Sequence, residues 1–320
     1  SVLLGQYWAL VGFKVVITMA LLILGGLLVI NEQMNIGQFV AAEIVIILVL
    51  NAVEKVILGL ESIYDVLTAL EKIANVTDLE LETQSGLTIP VTITEGGPMA
   101  IELRNVHFNS HWSENVVLND ISLKIAPGEK ICISGPNGSG KSSLLHLIAG
   151  MLEPDGGSVL IDGNGLSSLD LQNVRSAMGD SFTQEEIFSG TVLDNIIMGR
   201  DWITLEQARS LADRTGLTEM VHDLPNGLLC ELDPLGSRLP RSMIHRIILA
   251  RCLAGKPRLV LYEDESLPVF DPDHKELHAL LTGPDARFTL IAVSNDPRFQ
   301  DSFDRVIRLE NGRMIEQAQR

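Results

Sequence analysis

Residues 131–152 read ICISGPNGSGKSSLLHLIAGML, and this stretch decides the fold of the soluble part of the chain. The run ICIS at 131–134 is typical of a buried strand, and the apolar run after residue 143 predicts a helix. The intervening GPNGSGKSS, residues 135–143, fits the pattern G-x-x-x-x-G-K-[ST]. Because a strand, a glycine-rich loop and a helix follow one another, the stretch predicts an α/β domain that binds phosphates.

The residues of this loop are predicted to bind a nucleotide. Glycines let backbone N–H groups wrap the phosphates, Lys141 reaches the β- and γ-phosphates, and the Ser142 hydroxyl is a ligand for Mg²⁺. A glycine-rich turn without a ligand is the alternative, and the strand–loop–helix context favours the nucleotide. The predicted binding residues are Gly135, Pro136, Asn137, Gly138, Ser139, Gly140, Lys141, Ser142 and Ser143.

The composition divides the chain into a membrane part and an acidic soluble part. Apolar residues make up 46% of the chain, the formal net charge is −17, and charged residues are sparse in residues 1–60. This apolar content excludes a disordered chain, and the acidity argues against a nucleic-acid partner. Cys132, Cys230 and Cys252 lack a metal-binding spacing, so we expect buried or free thiols in a reducing compartment.

Two apolar stretches near the N-terminus, residues 7–30 and 37–60, are each long enough to span a bilayer. The polar residues 31–36 between them suit a helical hairpin. The alternative is a pair of buried helices in a soluble protein, which the lack of any polar face in residues 15–30 disfavours. Apolar residues in 63–73 then recur at helical spacing, which predicts an amphipathic helix leaving the membrane.

Glu43 lies inside the second apolar stretch. Ionisable groups within a membrane are costly and often functional. A carboxylate that faces a wet cavity or another helix fits the sequence as well as a role in substrate binding does. Since two spans cannot enclose a pathway, further helices are expected from elsewhere.

The change of pattern after the membrane part sets the remaining domain boundaries. Residues 81–98, LETQSGLTIPVTITEGGP, carry Gly, Pro and Thr without a helical period and are typical of a linker. We therefore predict a transmembrane hairpin with a cytosolic helical extension at 1–80, a linker at 81–98 and a nucleotide-binding domain at 99–320.

Nearly the whole chain resembles the C-terminal part of ABC exporter half-transporters. Residues 116–163 are similar throughout to the phosphate-loop region of that family. Residues 25–41 resemble its last transmembrane hairpin, 183–196 its Q-loop, and 224–232 the approach to its signature motif. The resemblance implies an α/β P-loop NTPase domain of the ABC type with antiparallel β and helical subdomains, the helical one at about 188–254, preceded by an all-α transmembrane hairpin.

The resemblance also implies cofactors, partners and location. ATP and Mg²⁺ lie between the domains of two half-transporters, so we expect a second ABC half-transporter, in a homodimer or heterodimer. Membrane lipid and an exported substrate, which the sequence does not identify, are the other expected partners. Family members have more membrane helices than the two seen here, and the chain begins with Ser1, so we interpret it as a piece of a longer protein. We expect an integral protein of the bacterial inner or plasma membrane, with the nucleotide-binding domain and Ser1 cytoplasmic and residues 31–36 outside.

The family signature LSGGQ aligns with LPRSM, residues 239–243. Pro240 has neither a hydroxyl nor an N–H to offer a phosphate, and it is suited to the first position of a helix. Arg241 and Ser242 replace glycines that permit close backbone approach. We expect a helix start that no longer contacts ATP; the alternative is that Arg241 contacts the partner's γ-phosphate directly.

The stretch RLVLYEDES, residues 258–266, resembles the Walker B strand of the family. The ungapped alignment makes Glu263 the Mg²⁺ ligand and Asp264 the catalytic base, which is one methylene shorter than the family's Glu. A register shifted by one residue would assign these roles to Asp264 and Glu265. The shift needs an insertion in or beside a buried strand, so we favour the ungapped register. The remaining alternative to a catalytic role is that Glu263, Asp264 and Glu265 form an acidic strand end at the surface.

Other family positions have also changed. Gln184 resembles the Q-loop glutamine, which contacts Mg²⁺, acts in catalysis and couples to the membrane domain, although the loop after it is one residue shorter. The switch histidine aligns with Ser294, and His274 and His278 are expected at the surface of a polar helix. Trp112 is the candidate for stacking on adenine, with a surface or interface tryptophan as the alternative.

The sequence therefore predicts the ATP-binding subunit of a membrane ABC exporter with slow or impaired hydrolysis. One alternative is a non-catalytic, ATP-sensing membrane protein in which the nucleotide controls dimerisation. The other is a membrane-anchored P-loop ATPase that acts on nucleic acid, which the acidity and the exporter-like hairpin disfavour.

Overall fold

The computed structural model describes residues 2–79, 86–110, 116–182, 187–236, 238–264 and 274–316. The chain divides into two compact units, Ser1–Glu82 and Thr83–Arg320.

The first unit is a helical hairpin of α1 (Val2–Ile30) and α2 (Ile36–Thr77). Asn35 caps α2: its side chain accepts from the Gln38 N–H at 2.8 Å, while the Gln38 side chain accepts from the Asn35 N–H at 3.1 Å. Within these helices, Val11–Ile30 and Ile36–Val56 are long and apolar enough to cross a membrane. The two helices fit the predicted hairpin, and residues 63–73 continue α2.

One ion pair joins the two helices of the hairpin. Lys14 Nζ donates to Glu54 Oε2, and both residues lie within the candidate spans. A charge in an apolar helix is costly unless it is paired, so each residue supplies the counter-ion that the other needs.

The second unit begins before the strand at residue 101. Ile89 is buried, and its N–H donates to Asn173 Oδ1 at 2.7 Å. The guanidinium of Arg258, which is 3% exposed, donates to Gly97 O at 2.8 Å and forms an ion pair with Asp162 at 2.7 Å. The described part of the predicted linker, from residue 86, therefore packs on the soluble unit and includes a short helix, α3 (Ile93–Gly96).

Two sheets form the framework of this unit. The first is antiparallel, in the order β2-β1-β4-β5. Its strands are β1 (Ile101–Asn109), β2 (Val116–Ile125), β4 (Gly156–Ile161) and β5 (Asn164–Gly165). The second has the order β12-β11-β3-β10-β9-β6 and is parallel except for β12. Its strands are β3 (Lys130–Ser134), β6 (Met178–Ser181), β9 (Leu259–Glu263), β10 (Thr289–Val293), β11 (Arg305–Glu310) and β12 (Arg313–Glu316).

Helices cover both faces of the parallel sheet, so β9 and β10 are apolar and buried at almost every position. Leu259 and Leu261 of β9 belong to the core cluster that contains α4 (Lys141–Ile148). Val260 and Tyr262 belong to the cluster of the opposite face, which contains α9 (Arg241–Ala254). The carboxyl ends of β3, β9 and β10 meet at one edge of the sheet, where ligands of such sheets bind.

The remaining helices complete the two clusters. They are α5 (Leu171–Ser176), α6 (Val192–Ile197), α7 (Leu205–Arg214), α8 (Leu217–His222), α10 (His274–Thr282) and α11 (Pro297–Gln300). A short antiparallel pair, β7 (Gly190–Thr191) and β8 (Glu231–Leu232), lies beside α6. Helices α6 to α9 fall within residues 188–254, the predicted helical subdomain. All three cysteines are free thiols, as expected, with Cys132 and Cys252 buried.

Candidate nucleotide-binding site

The loop between β3 and α4 has a backbone that only glycine can follow at two points. Gly135 has φ +147°, and a Cβ there would lie 2.1 Å from Leu309 O. Gly140 has φ +100°, and its Cβ would lie 2.7 Å from Leu118 Cδ2. The Gly135 N–H is held by Asn295 Oδ1 at 3.0 Å. These glycines therefore fix the loop as a cradle of backbone at the start of α4.

Lys141 and Ser139 give this loop its anion-binding chemistry. Lys141 is 4% exposed, and its Nζ donates to Gly135 O at 3.0 Å and Pro136 O at 3.1 Å. Ser139 is buried, and its hydroxyl has no hydrogen-bond partner among the described residues. Pro136, Asn137 and Gly138 are exposed, whereas Ser142 and Ser143 are half-buried. A buried cation and an unsatisfied hydroxyl beside exposed loop backbone fit a phosphate-bearing ligand.

Ser142 and Glu263 line the same cavity, of about 740 Å³. Ser142 is in the first turn of α4, and Glu263 is the last residue of β9, 4% exposed. A hydroxyl and a carboxylate are both hard oxygen donors of the kind that Mg²⁺ prefers. Of the predicted metal ligands, the structure describes Ser142 and Glu263. It thus brings these two residues together, and their oxygen donors fit Mg²⁺.

The cavity also contains charged groups that the sequence analysis did not single out. Asp180, near the end of β6, lines it together with Arg200 and Arg251. Asp180 is exposed by its surface area, but desolvation by the surrounding atoms raises its pKa, although the charges of Arg251, Arg200 and His146 lower it in part. Burial also lowers the pKa of Arg200. A carboxylate inside an otherwise buried strand was the signal that could have identified Asp180.

Asp264, the first residue after β9, lies in a different environment. Its side chain is 3% exposed, and its Oδ2 accepts from the Ser294 hydroxyl at 2.7 Å. Its Oδ1 lies 3.5 Å from Nε2 of His278, a distance within ion-pair range but long for a hydrogen bond. The structure thus brings Asp264 together with Ser294, the predicted switch position, and with a histidine from α10.

The expectation that His278 lies at the surface is wrong. Its side chain is only 12% exposed, and its ring stacks on Phe299 with centroids 3.5 Å apart. His278 precedes the fully buried Leu281 by three positions and therefore shares its face of α10. Because α10 is largely polar in composition, the sequence did not indicate that this face is buried.

The helix that follows the changed signature starts one residue later than expected. Helix α9 begins at Arg241, and Pro240 is its N-cap, with an extended backbone (ψ 143°) and no capping hydrogen bond from its side chain. The prediction of Pro240 as the first helical residue is corrected to the cap. Arg241 is exposed, as its place at the helix start requires.

Four candidate residues lie outside what the structure describes. Trp112, Gln184 and Glu265 fall in undescribed segments, and the side chain of His274 is likewise outside the description. Their predicted roles remain predictions.

Comparisons with known proteins agree with this geometry. Residues 118–267 match the family model of the ABC transporter. The ATP-dependent lipid A-core flippase of Burkholderia orbicola is 30% identical over 98% of this chain and 51% of its own length. The mycobactin import ATP-binding/permease protein IrtB of Mycolicibacterium smegmatis is 33% identical over 64% of this chain and 36% of its own length.

The fold is also that of a solved structure, a bacterial Atm1-family ABC exporter with ATP bound. This chain matches the exporter structure with a TM-score of 0.71 and 22% sequence identity. The match covers 79% of this chain and 44% of the exporter chain. The chain spans about half the length, or less, of the curated relatives that it matches. Residues 118–267 belong to the ABC transporter family, and the soluble unit that contains them has the nucleotide-binding-domain fold of that family.

Proposed function

We propose that this chain is the ATP-binding subunit of a membrane ABC exporter and that its ATP hydrolysis is slow or impaired. The observation that carries the proposal is the cavity that Ser142 and Glu263 share beside the glycine-constrained loop. The apolar helices α1 and α2 support a membrane location, with the soluble unit in the cytoplasm.

The loop residues of this chain bind the triphosphate of ATP. Lys141 exchanges its hydrogen bonds to the carbonyls of Gly135 and Pro136 for contacts with the β- and γ-phosphates. The unsatisfied hydroxyl of Ser139 donates a further hydrogen bond to the triphosphate. Ser142 and Glu263 would hold Mg²⁺, which would supply positive charge to neutralise the phosphates. Gln184 as a further contact to Mg²⁺ and Trp112 as the adenine platform complete the proposed site.

Slow hydrolysis follows from the residues at three family positions. Asp264, the proposed base, is engaged by Ser294 at 2.7 Å and is almost fully buried. Ser294 cannot supply the imidazole that the switch position has in the family. Pro240 caps α9 without a side-chain donor, so the LPRSM segment offers a second subunit's ATP fewer hydrogen bonds than LSGGQ.

A second half-transporter and a membrane are the proposed partners. The relatives are named as a lipid flippase and as an ATP-binding/permease protein for import, and the structural neighbour is named as an exporter. The flippase match over nearly the whole chain and the exporter fold favour export over import. A bacterial inner membrane is the proposed location, since the relatives are bacterial.

Calorimetric titration of the full chain in lipid nanodiscs with ATP, with and without Mg²⁺, tests the site. Ser142→Ala and Glu263→Gln should each weaken MgATP binding, and neither should weaken Mg²⁺-free ATP binding, since loss of the Glu263 charge only reduces repulsion of the phosphates. Glu310→Gln is the matched control, because Glu310 pairs with Arg308 on β11 and does not line the cavity. Equal losses with and without Mg²⁺ would refute the metal assignment.

ATP turnover of the full chain in lipid nanodiscs separates the proposal from its alternative. A slow turnover that Lys141→Ala abolishes supports an exporter subunit. Tight MgATP binding with no turnover would instead support an ATP-sensing membrane protein.

A further inference from the structure

Three buried polar side chains from three elements meet at the end of the parallel sheet. Asp264 follows β9, Ser294 follows β10, and His278 lies in α10. The Ser294 hydroxyl donates to Asp264 Oδ2 at 2.7 Å and accepts from the Asp296 N–H at 3.1 Å. The Asp264 N–H also donates to Val293 O at 2.9 Å, so both the backbone and the side chain of Asp264 are held.

The cluster lies on the face of the parallel sheet opposite to α4. Side chains alternate along a strand, so Leu261 and Glu263 share one face of the sheet, and Tyr262 and Asp264 share the other. Leu261 packs in the core cluster of α4, and Glu263 lines the cavity of Ser142. Tyr262 packs in the opposite cluster with Phe299, on which the His278 ring stacks. Asp264 is therefore not among the residues that line the Ser142 cavity.

We propose that Ser294 and His278 are positioning residues that hold the Asp264 carboxylate on the α10 side of the sheet and thereby keep ATP hydrolysis slow. The inference rests on the proposed function and extends it, because it assigns the slow rate to an inhibitory contact rather than to the short Asp264 side chain alone. His278 acts through Asp264, and it is placed by its stack on Phe299 and by the buried face of α10.

Steady-state hydrolysis of MgATP by the full chain in lipid nanodiscs tests the inference. The double variant Ser294→Ala, His278→Phe removes both contacts and keeps an aromatic ring against Phe299. Its kcat should rise at least about fivefold while its KM stays unchanged. This increase would recover part of the roughly hundredfold in rate that a 1 Å misplacement of a reacting group costs. Adding Asp264→Asn should remove the gain, and His278→Gln, which keeps a donor near the Nε2 position, should stay close to the wild-type kcat.

Each outcome decides the inference. An unchanged or lower kcat in the double variant overturns it, and so does a gain that survives Asp264→Asn. Ser294→Ala alone removes only one hydroxyl, and we expect it to raise kcat by a smaller factor. This single variant therefore decides the inference if the double variant unfolds. Calorimetry with MgATP keeps the two proposals distinct: binding without a response in kcat refutes this inference alone, whereas no binding refutes the proposed function as well.

Discussion

Replacement of Lys141 by methionine is the most direct test of the nucleotide site. The expected loss of binding free energy can be worked from the structure. Lys141 is 4% exposed, so its attraction to phosphate is weakly screened, and a charge pair at about 4 Å is worth about 4 kcal/mol at an effective dielectric constant of 20. Binding breaks the hydrogen bonds of Lys141 to Gly135 O (3.0 Å) and Pro136 O (3.1 Å), each of which is worth about 1 kcal/mol. The net loss of about 2 kcal/mol corresponds to a Kd for MgATP raised roughly thirtyfold.

Calorimetric titration with MgATP measures this change, and Lys130→Met is its matched control. Lys130 Nζ also donates to two carbonyls, Thr282 O at 3.0 Å and Gly283 O at 3.3 Å, but it lies outside the loop. The control should lower the melting temperature and leave the Kd within about twofold, because it loses contacts of similar energy without a phosphate contact. A Kd for Lys141→Met within about threefold of the wild type would refute the assigned role, and an equal loss in both variants would show that stability, not contact with phosphate, is being measured.

Three further predictions concern the residues around this site. Repair of the signature alone, LPRSM→LSGGQ at 239–243, should leave ATP turnover slow in a self-dimer because Asp264 and Ser294 are unchanged, and turnover at ordinary transporter rates would contradict this. Asp264→Asn should abolish turnover while Glu265→Gln is silent if Asp264 is the base, and a Glu265→Gln variant that traps unhydrolysed ATP would establish the shifted register instead. Desolvation raises the pKa of Asp180 above its ordinary value of 3.8, so its folded form favours the neutral acid, and the stability this gives is present at low pH and is lost as the pH rises through the folded pKa. Because Asp180 is also an exposed residue, solvent screens its charge and the effect is small. Asp180→Asn should therefore raise the melting temperature slightly at pH 7, and this gain should disappear near pH 3.5; a loss of stability at pH 7 would show that pairing with Arg251 and Arg200 outweighs desolvation.

The phosphate-binding loop could be predicted from the sequence because its signal is local. The strand 131–134, the glycines and the first turn of α4 follow one another in the chain, and each dictates its own backbone conformation. The shared cavity of Ser142 and Glu263 was also predictable, since carboxyl ends of parallel strands meet at one edge.

The surroundings of Asp264 could not be predicted in the same way. His278 is buried because Phe299, from a separate helix, covers its ring, and no period within α10 encodes that contact. Asn295, which holds the Gly135 N–H, reaches the loop from the end of β10, a strand distant in sequence. Such contacts depend on which strands are neighbours in the sheet, and a single sequence does not specify that order.

The pairing of Arg258 with residues 90–97 has a mechanical consequence. Its guanidinium is fastened to the carbonyls of Pro90, Gly96 and Gly97, and its own carbonyl accepts the N–H of Met99. Arg258 immediately precedes β9, and β9 ends at Glu263. A tensile force applied to the chain ahead of residue 87 is thus resisted before it reaches residue 101, where the first strand of the sheets begins: first where Leu87 and Ile89 bond to residues 168–173, and then at the root of β9, the strand whose tip carries the proposed metal ligand.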